Sequence, residues 1–305
     1  MTNTFTHPKV SIVTPVHNGV KYTLKFLQSV KSVRYPNLEV IIVDDGSSDN
    51  SANIIAKRFP EAVILKGDGS LWWSGATNLG VEHAINNGSS FVFTVNNDVQ
   101  LTPSCIQSLV ELAHHHPKAL IGSMICNMQA AEAVWFFGAT FDQSRGDLAH
   151  HTGSAKDFKG MVKSDWLTGM GVLVPTQAFA DTGLYDAKNF PQYLGDADFS
   201  LRAKKVGYQL LVTATSVIYA DTTSSWMTRQ HQRPTLAFIP QLFFSTKSPA
   251  NVVMRYKFYR RHWPTDYKKA LCRYYWVIGS GLLRHYLIAY TKLSLKRLTW
   301  RKAPK

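Results

Sequence analysis

The chain has 305 residues, 45% apolar and 18% charged, a globular balance that excludes wholesale disorder and leaves room for one large α/β domain with an appendage. Its formal charge of +14 is unevenly placed: residues 226–305 hold 17 Lys and Arg against one acid, Asp266, while residues 1–225 are slightly acidic. A basic end beside a near-neutral body points to an anionic surface met by the tail; a nucleic-acid-binding protein using that tail is the alternative from another class, against which stand the confinement of the charge to the tail and a body with no recognised DNA or RNA module.

A β-branched run over 10–14, ended by Pro15, predicts a buried parallel strand. Leu24, Leu27, Val30 and Val33 give helical spacing over 22–34. A second strand covers 38–43 and stops at Asp44-Asp45-Gly46. A helix follows over 48–58, with Ser47, Ser48 or Asp49 as its cap. Then come a strand at 62–66, a helix at 77–87, a strand at 91–95 and a helix at 101–116, ending before Pro117. Short apolar strands fill 120–175, including 169–174. A helix lies within 193–206 and a strand at 209–219. After Ser225 the texture turns basic and aromatic, with Pro234, Pro240 and Pro249 as punctuation. This predicts an α/β domain over 1–225, its mostly parallel sheet flanked by helices, and a basic helical region over 226–305.

In such sheets ligands bind beyond the carboxyl ends of the strands, where the polar motifs fall. Asp44 and Asp45 end one strand, beside Pro15, His17 and Asn18 at the end of another. Carboxylates there can accept hydrogen bonds from a base or a ribose, although Asp-Gly-Ser also suits a turn with a helix cap. Gly69, Trp72, Trp73, Gly75 and Asn78 belong to a Gly- and Trp-rich loop. Its glycines allow close backbone approach to a phosphate or sugar, and its indoles can stack on a ring or plug the core. Asn96-Asn97-Asp98 ends a further strand; a lone carboxylate flanked by amides can bind a hard divalent cation that also takes diphosphate oxygens. In Gly195-Asp196-Ala197-Asp198, Asp196 precedes the helix body and is a candidate general base. Asp198 is spaced to pair with Arg202. Trp166 and Gly169 suit a bend on the acceptor side, where Asp198 is placed as well. His114-His115-His116 and His150-His151 are expected at solvated ends. Cys105, Cys126 and Cys272 form no CxxC pair, which fits a reducing compartment. Neither a leader pattern nor a run of about 18 apolar residues is found, so no signal peptide or spanning helix is expected.

The ordered set VSIVTPVHN, VIIVDDGSSDNS, WWSGATNLGV, FTVNNDVQLTP, WLTGMGVLV and GDADFSLRAKKVGY resembles the family 2 inverting glycosyltransferases with a GT-A fold, over residues 9–225. The resemblance implies that Asp44 and Asp45 help hold the nucleobase and ribose of a UDP- or dTDP-sugar. It implies further that Asp98 ligates Mg²⁺ or Mn²⁺ and that Asp196 is the catalytic base. Two positions depart from the pattern. Gly195 replaces an acid, and Asp221 stands where many relatives carry a histidine, making it a second candidate metal ligand. The Trp-rich loop and the GDAD spelling look most like bacterial rhamnosyl or galactofuranosyl transferases that build surface polysaccharides. A nucleotidyltransferase shares a similar sheet, but the Gly-rich, basic N-terminal loop it would need is missing from the sequence.

The tail segment 273–300 mixes aromatics with Arg and Lys in apolar stretches too short to span a bilayer. It suits a helix in the headgroup layer on the inner face of the cytoplasmic membrane, where a lipid-linked glycan would meet the enzyme. Packing on the catalytic domain or on a second copy is the alternative.

Overall fold

The computed structural model describes residues 7–142, 147–222, 238–263 and 265–300. Strands β1 (Val10–Val16), β2 (Leu38–Asp44), β3 (Val63–Lys66) and β4 (Phe91–Thr94) lie parallel in the order β3-β2-β1-β4. Their β-branched runs suit a sheet covered on both faces. The crossovers are α1 (Val20–Val30), α2 (Ser51–Arg58) and α3 (Trp72–Asn86). Helix α3 lies so close to β1 that a Cβ on Gly80 would come within 2.4 Å of Val13.

Beyond β4 the sheet is mixed, which corrects the mostly parallel expectation. Strand β5 (Val99–Leu101) precedes α4 (Cys105–His115), and β6 (Ala119–Asn127) follows it. Next come β7 (Ala133–Phe136), the hairpin β8 (Ala139–Asp142) and β9 (Asp147–His150), β10 (Gly153–Ser154) and β11 (Met161–Lys163). Strand β12 (Val172–Pro175) inserts antiparallel between β4 and β6, while β13 (Gln209–Ala220) runs parallel to β6 and antiparallel to β5 and β11. The link between β6 and β7, 128–132, is too short for a parallel crossover.

Helix α1 begins at Val20, two residues before expectation, and three helix starts differ by three residues or more. Leu101 pairs with Ile218 inside β5, so α4 begins only at Cys105. Asn50 has φ 61°, which delays α2 to Ser51. Helix α3 begins early, at Trp72, because the Trp72 N–H donates to Asp45 Oδ2 at 2.9 Å.

Helices α5 (Thr176–Thr182) and α6 (Gly195–Lys205) flank the second half of the sheet. The C-terminal region supplies α7 (Phe238–Phe244), α8 (Val252–His262) and α9 (Tyr267–Trp300). Met254 and Phe258 of α8 belong to the main core, so the region after 238 does not pack as a separate body. Tyr274, Ile278 and Leu282 of α9, four residues apart, pack on Phe238 and Leu242 of α7. The boundary expected near 225 falls at residues 223–237, outside the described residues.

One clamp joins α8 to α6. Asp198, fully buried, accepts from Arg202 Nε, Arg261 and His262 Nε2, each at 2.8 Å. Arg202 also donates to the carbonyls of Thr182 and Leu184, and Arg261 pairs with Asp186 at 2.7 Å. Burial alone would raise the Asp198 pKa. The hydrogen bonds from His262 and Arg202, with the charges around them, outweigh it and bring it down to about 2. Stability from this depressed carboxylate is present above the usual value of 3.8 and is lost as pH falls toward about 2. Asp198→Asn is therefore expected to cost about 3–5 kcal/mol in urea unfolding at pH 7, the scale of a broken buried pair. A loss under about 1 kcal/mol would mean that the donors re-pair elsewhere.

Candidate functional site

Two loops meet at the carboxyl ends of β2 and β3. Asp45 is buried, its Oδ1 accepting from Gly69 N–H at 2.8 Å and its Oδ2 from Trp72 N–H. One carboxylate thus gathers the 67–72 loop around itself and holds Trp72 at φ 56°. Only glycines permit the approach: a Cβ on Gly46, itself at φ 68°, would lie 2.8 Å from Gly69 Cα, and one on Gly67 would lie 2.5 Å from Asp45 Oδ1. His17 Nδ1 donates to the Asp45 carbonyl at 2.6 Å, tying in the end of β1. The result is a cavity of about 420 Å³ walled by Pro15, His17, Asp45, Gly69 and Trp72.

A larger cavity, about 650 Å³, opens on the other side of Trp73. Its aromatic wall is continuous: His150 stands 4.8 Å from Trp135 and 5.1 Å from Trp166, centroid to centroid. From sequence, His150 is expected at a solvated end; the β8–β9 hairpin instead sets it against this wall. Trp73 separates the two spaces, its Nε1 donating to Asn96 Oδ1 at 2.9 Å and its ring lying where a Gly169 side chain would be, 2.3 Å from that Cβ position.

Asp196 lines the larger cavity at the start of α6. Its Oδ2 accepts from Gly169 N–H and its Oδ1 from Ala197 N–H, both at 2.8 Å, so lone pairs remain for the cavity. Burial raises its pKa; the backbone donors oppose this without prevailing. Gly195 also has a packing reason, since a Cβ there would lie 2.3 Å from Ser74 Oγ. The slot has no room for an acid.

Asp98 lines both cavities. Its Oδ1 is buried with no hydrogen-bond partner, and its pKa is raised by burial and by the Asp221 charge. Asp221 lines the larger cavity, and its Oδ1 accepts from Gln129 Nε2 at 3.2 Å. An orphaned carboxylate oxygen beside a second carboxylate fits a hard dication that keeps waters and takes phosphate oxygens. Among the described residues no cluster of three or more His, Cys, Asp or Glu side chains could hold a metal by protein ligands alone.

Other expected site residues serve mainly to brace the surrounding loops. Asp44 is buried, caps Ser47 N–H at 3.1 Å and lies outside both cavity walls. Asn18 Oδ1 accepts from the backbones of Ser48 and Asp49, bracing the same loop. Asn78 pairs through both ends of its amide with the Tyr185 backbone, and Gly75 packs under Leu71. Asn97 lines the smaller cavity while its Nδ2 donates to Thr23 Oγ1. Asp198 faces the core instead of the acceptor side. Gln192 and Tyr193, which line both cavities, escaped the sequence reading, as did Trp135. Two cations of the C-terminal region did too: Lys247 reaches the smaller cavity and Arg255 the larger. Only the basic excess of that region hinted at them.

Residues 11–149 match Glycosyl transferase family 2. The chain is 24% identical over 209 residues to N-acetylglucosaminyl-diphospho-decaprenol L-rhamnosyltransferase of Mycobacterium tuberculosis, covering 60% of this chain and 66% of that one. It is 25% identical over 134 residues to glycosyltransferase GlyA of Streptococcus pneumoniae, 42% of this chain but only 18% of GlyA's length. In structure it is similar to GalNAc-T7, crystallised with UDP, GalNAc and Mn²⁺, with a TM-score of 0.58 at 16% identity over 84% of this chain and 50% of that one.

Proposed function

We propose that this chain is an inverting transferase acting on a UDP- or dTDP-sugar, a reading supported by the match of residues 11–149 to Glycosyl transferase family 2 and by a fold similar to that of GalNAc-T7. Its acceptor would be a hydroxyl of a glycan or lipid-linked glycan in bacterial surface-polysaccharide synthesis. The observation that carries this reading is the meeting of two cavities at Asp98, with Asp196 in only one of them. Base and ribose occupy the smaller cavity against His17, Asp45, Gly69 and Trp72. The acceptor occupies the larger. Its hydroxyl oxygen bonds to the anomeric carbon as the bond to the diphosphate breaks. The bonding electrons leave with the diphosphate, and the hydroxyl proton passes to Asp196. Mg²⁺ or Mn²⁺ held by Asp98 and Asp221 would supply positive charge for the departing diphosphate. The named activity of the mycobacterial relative favours rhamnosyl transfer to a lipid-linked acceptor, with galactofuranosyl transfer as the neighbouring possibility.

A donor hydrolysis screen with UDP-, dTDP- and GDP-sugars tests this reading. Turnover of a UDP- or dTDP-sugar, stimulated by Mg²⁺ or Mn²⁺, is expected. Release of inorganic diphosphate from a nucleoside triphosphate instead would make the protein a nucleotidyltransferase.

The same reading places the enzyme at the inner face of the cytoplasmic membrane. No helix among the described residues is long and apolar enough to cross a membrane. The outward face of α9 carries Trp276 and Leu283, 76% and 62% exposed, near Lys268, Lys269 and Arg284. Side chains beyond Arg284 lie outside the described ones. Each basic residue near an anionic surface adds about 1 kcal/mol. Cutting the chain before α8 would break the Asp198 clamp, so the full chain with Trp276→Ser and Leu283→Ser is the better probe. Native protein is expected to float with anionic vesicles, less at high salt, and the double variant to stay behind. Equal flotation would remove this face from membrane binding and leave a second copy of the chain as the partner to test.

A further inference from the structure

We propose that the larger cavity takes an acceptor bearing a phosphate group, gripped by Arg255 while the aromatic wall holds a sugar ring. This rests on the donor reading of the smaller cavity and adds the acceptor's chemical class and the residue that selects it.

Arg255 sits in the first turn of α8 and is only 9% exposed. Its Nε donates to the Pro249 carbonyl at 2.8 Å, and its guanidinium lies 4.3 Å from the centroid of the Tyr274 ring. These contacts hold the group from behind. Among the described residues no carboxylate lies within ion-pair distance of it, although Arg202 and Arg261 both have one. A buried cation without an anion is costly, and the cost is offset once a ligand brings the anion. The planar fork of a guanidinium matches phosphate oxygens two at a time.

A second observation points to the same ligand. Trp166 Nε1 is buried without a hydrogen-bond partner in the wall formed with Trp135 and His150. Flat aromatic faces suit a sugar ring, and an indole N–H without an acceptor suits a ring hydroxyl. Phosphate could come from the donor's diphosphate or from the acceptor. Arg255 lines the larger cavity together with Asp196 and is absent from the smaller cavity of base and ribose, which favours the acceptor. Asp98 and Asp221 also reach the larger cavity, so titration decides between the two.

Calorimetric titration of the full chain, with UDP and Mn²⁺ bound, separates these sources. Glucose 1-phosphate is expected to bind at least about tenfold tighter than methyl glucoside, the effect of one charge-assisted hydrogen bond. Arg255→Met should remove the preference and Arg255→Lys should keep part of it, with UDP affinity the same in all three proteins. Absence of any preference in the native chain, or its survival in Arg255→Met, overturns the proposal without any reliance on how the variant folds. Loss of UDP affinity in a variant that melts like the native chain overturns it too, by moving the contact to the donor. Failure of the native chain to bind either UDP or dTDP would instead remove the donor reading and this proposal with it; if only dTDP binds, it replaces UDP in the titration.

Discussion

Replacing Asp196 by asparagine is expected to lower kcat by roughly two to four orders of magnitude while leaving donor affinity in place, the scale of a lost general base. The carboxylate is held by the N–H groups of Gly169 and Ala197, so its position does not depend on substrate. Asparagine keeps the volume but cannot take the proton. Burial raises the Asp196 pKa, so the acidic limb of the kcat profile should lie above the ordinary carboxylate range, with activity lost as pH falls through it. In the variant this limb should vanish together with most of the rate. A collapse of donor binding with kcat preserved would make Asp196 a binding residue. Asp198 could not replace it as base, because it faces the core with three donors on its oxygens.

Removing the Asp98 carboxylate with Asp98→Ala should abolish metal-stimulated transfer without unfolding the chain. Asp98 carries a buried, unpartnered oxygen and feels the charge of Asp221, so the unliganded protein bears an electrostatic cost that alanine relieves. Unfolding stability without ligands should therefore hold or rise. The second readout is ligand-induced stabilisation. At about 100 times the dissociation constant, a ligand bound only to the folded state adds about 2.7 kcal/mol. Mn²⁺ with UDP should stabilise the native chain on that scale and leave Asp98→Ala nearly unmoved. Equal stabilisation of both, with activity still responding to metal, would take Asp98 out of the site.

The parallel half of the sheet was legible because β1, β2 and β4 are short β-branched runs with polar residues at their ends, a pattern that strand burial on both faces demands. The mixed half was not. Pairing direction there depends on which distant strand fills the gap beside β4, and β12 does so from 78 to 84 residues further along the chain. Within the site, adjacency misled. Asp44 and Asp45 are indistinguishable in sequence, yet one caps a turn and the other organises the Gly- and Trp-rich loop.

By itself the sequence determined the α/β domain, the strand ends at which a ligand would bind and the pair Asp98 and Asp196 as candidates for chemistry. Residues two apart on a helix point roughly to opposite sides. That spacing already set Asp196 and Asp198 apart, but only packing decided which one meets the cavity. Here α8 closes over Asp198 with Arg261 and His262, from more than 60 residues away, and Asp196 is left to the open side. The same docking carries Arg255 to the larger cavity. No local pattern could announce it, because the reason for its burial is supplied by elements that meet only in the folded chain.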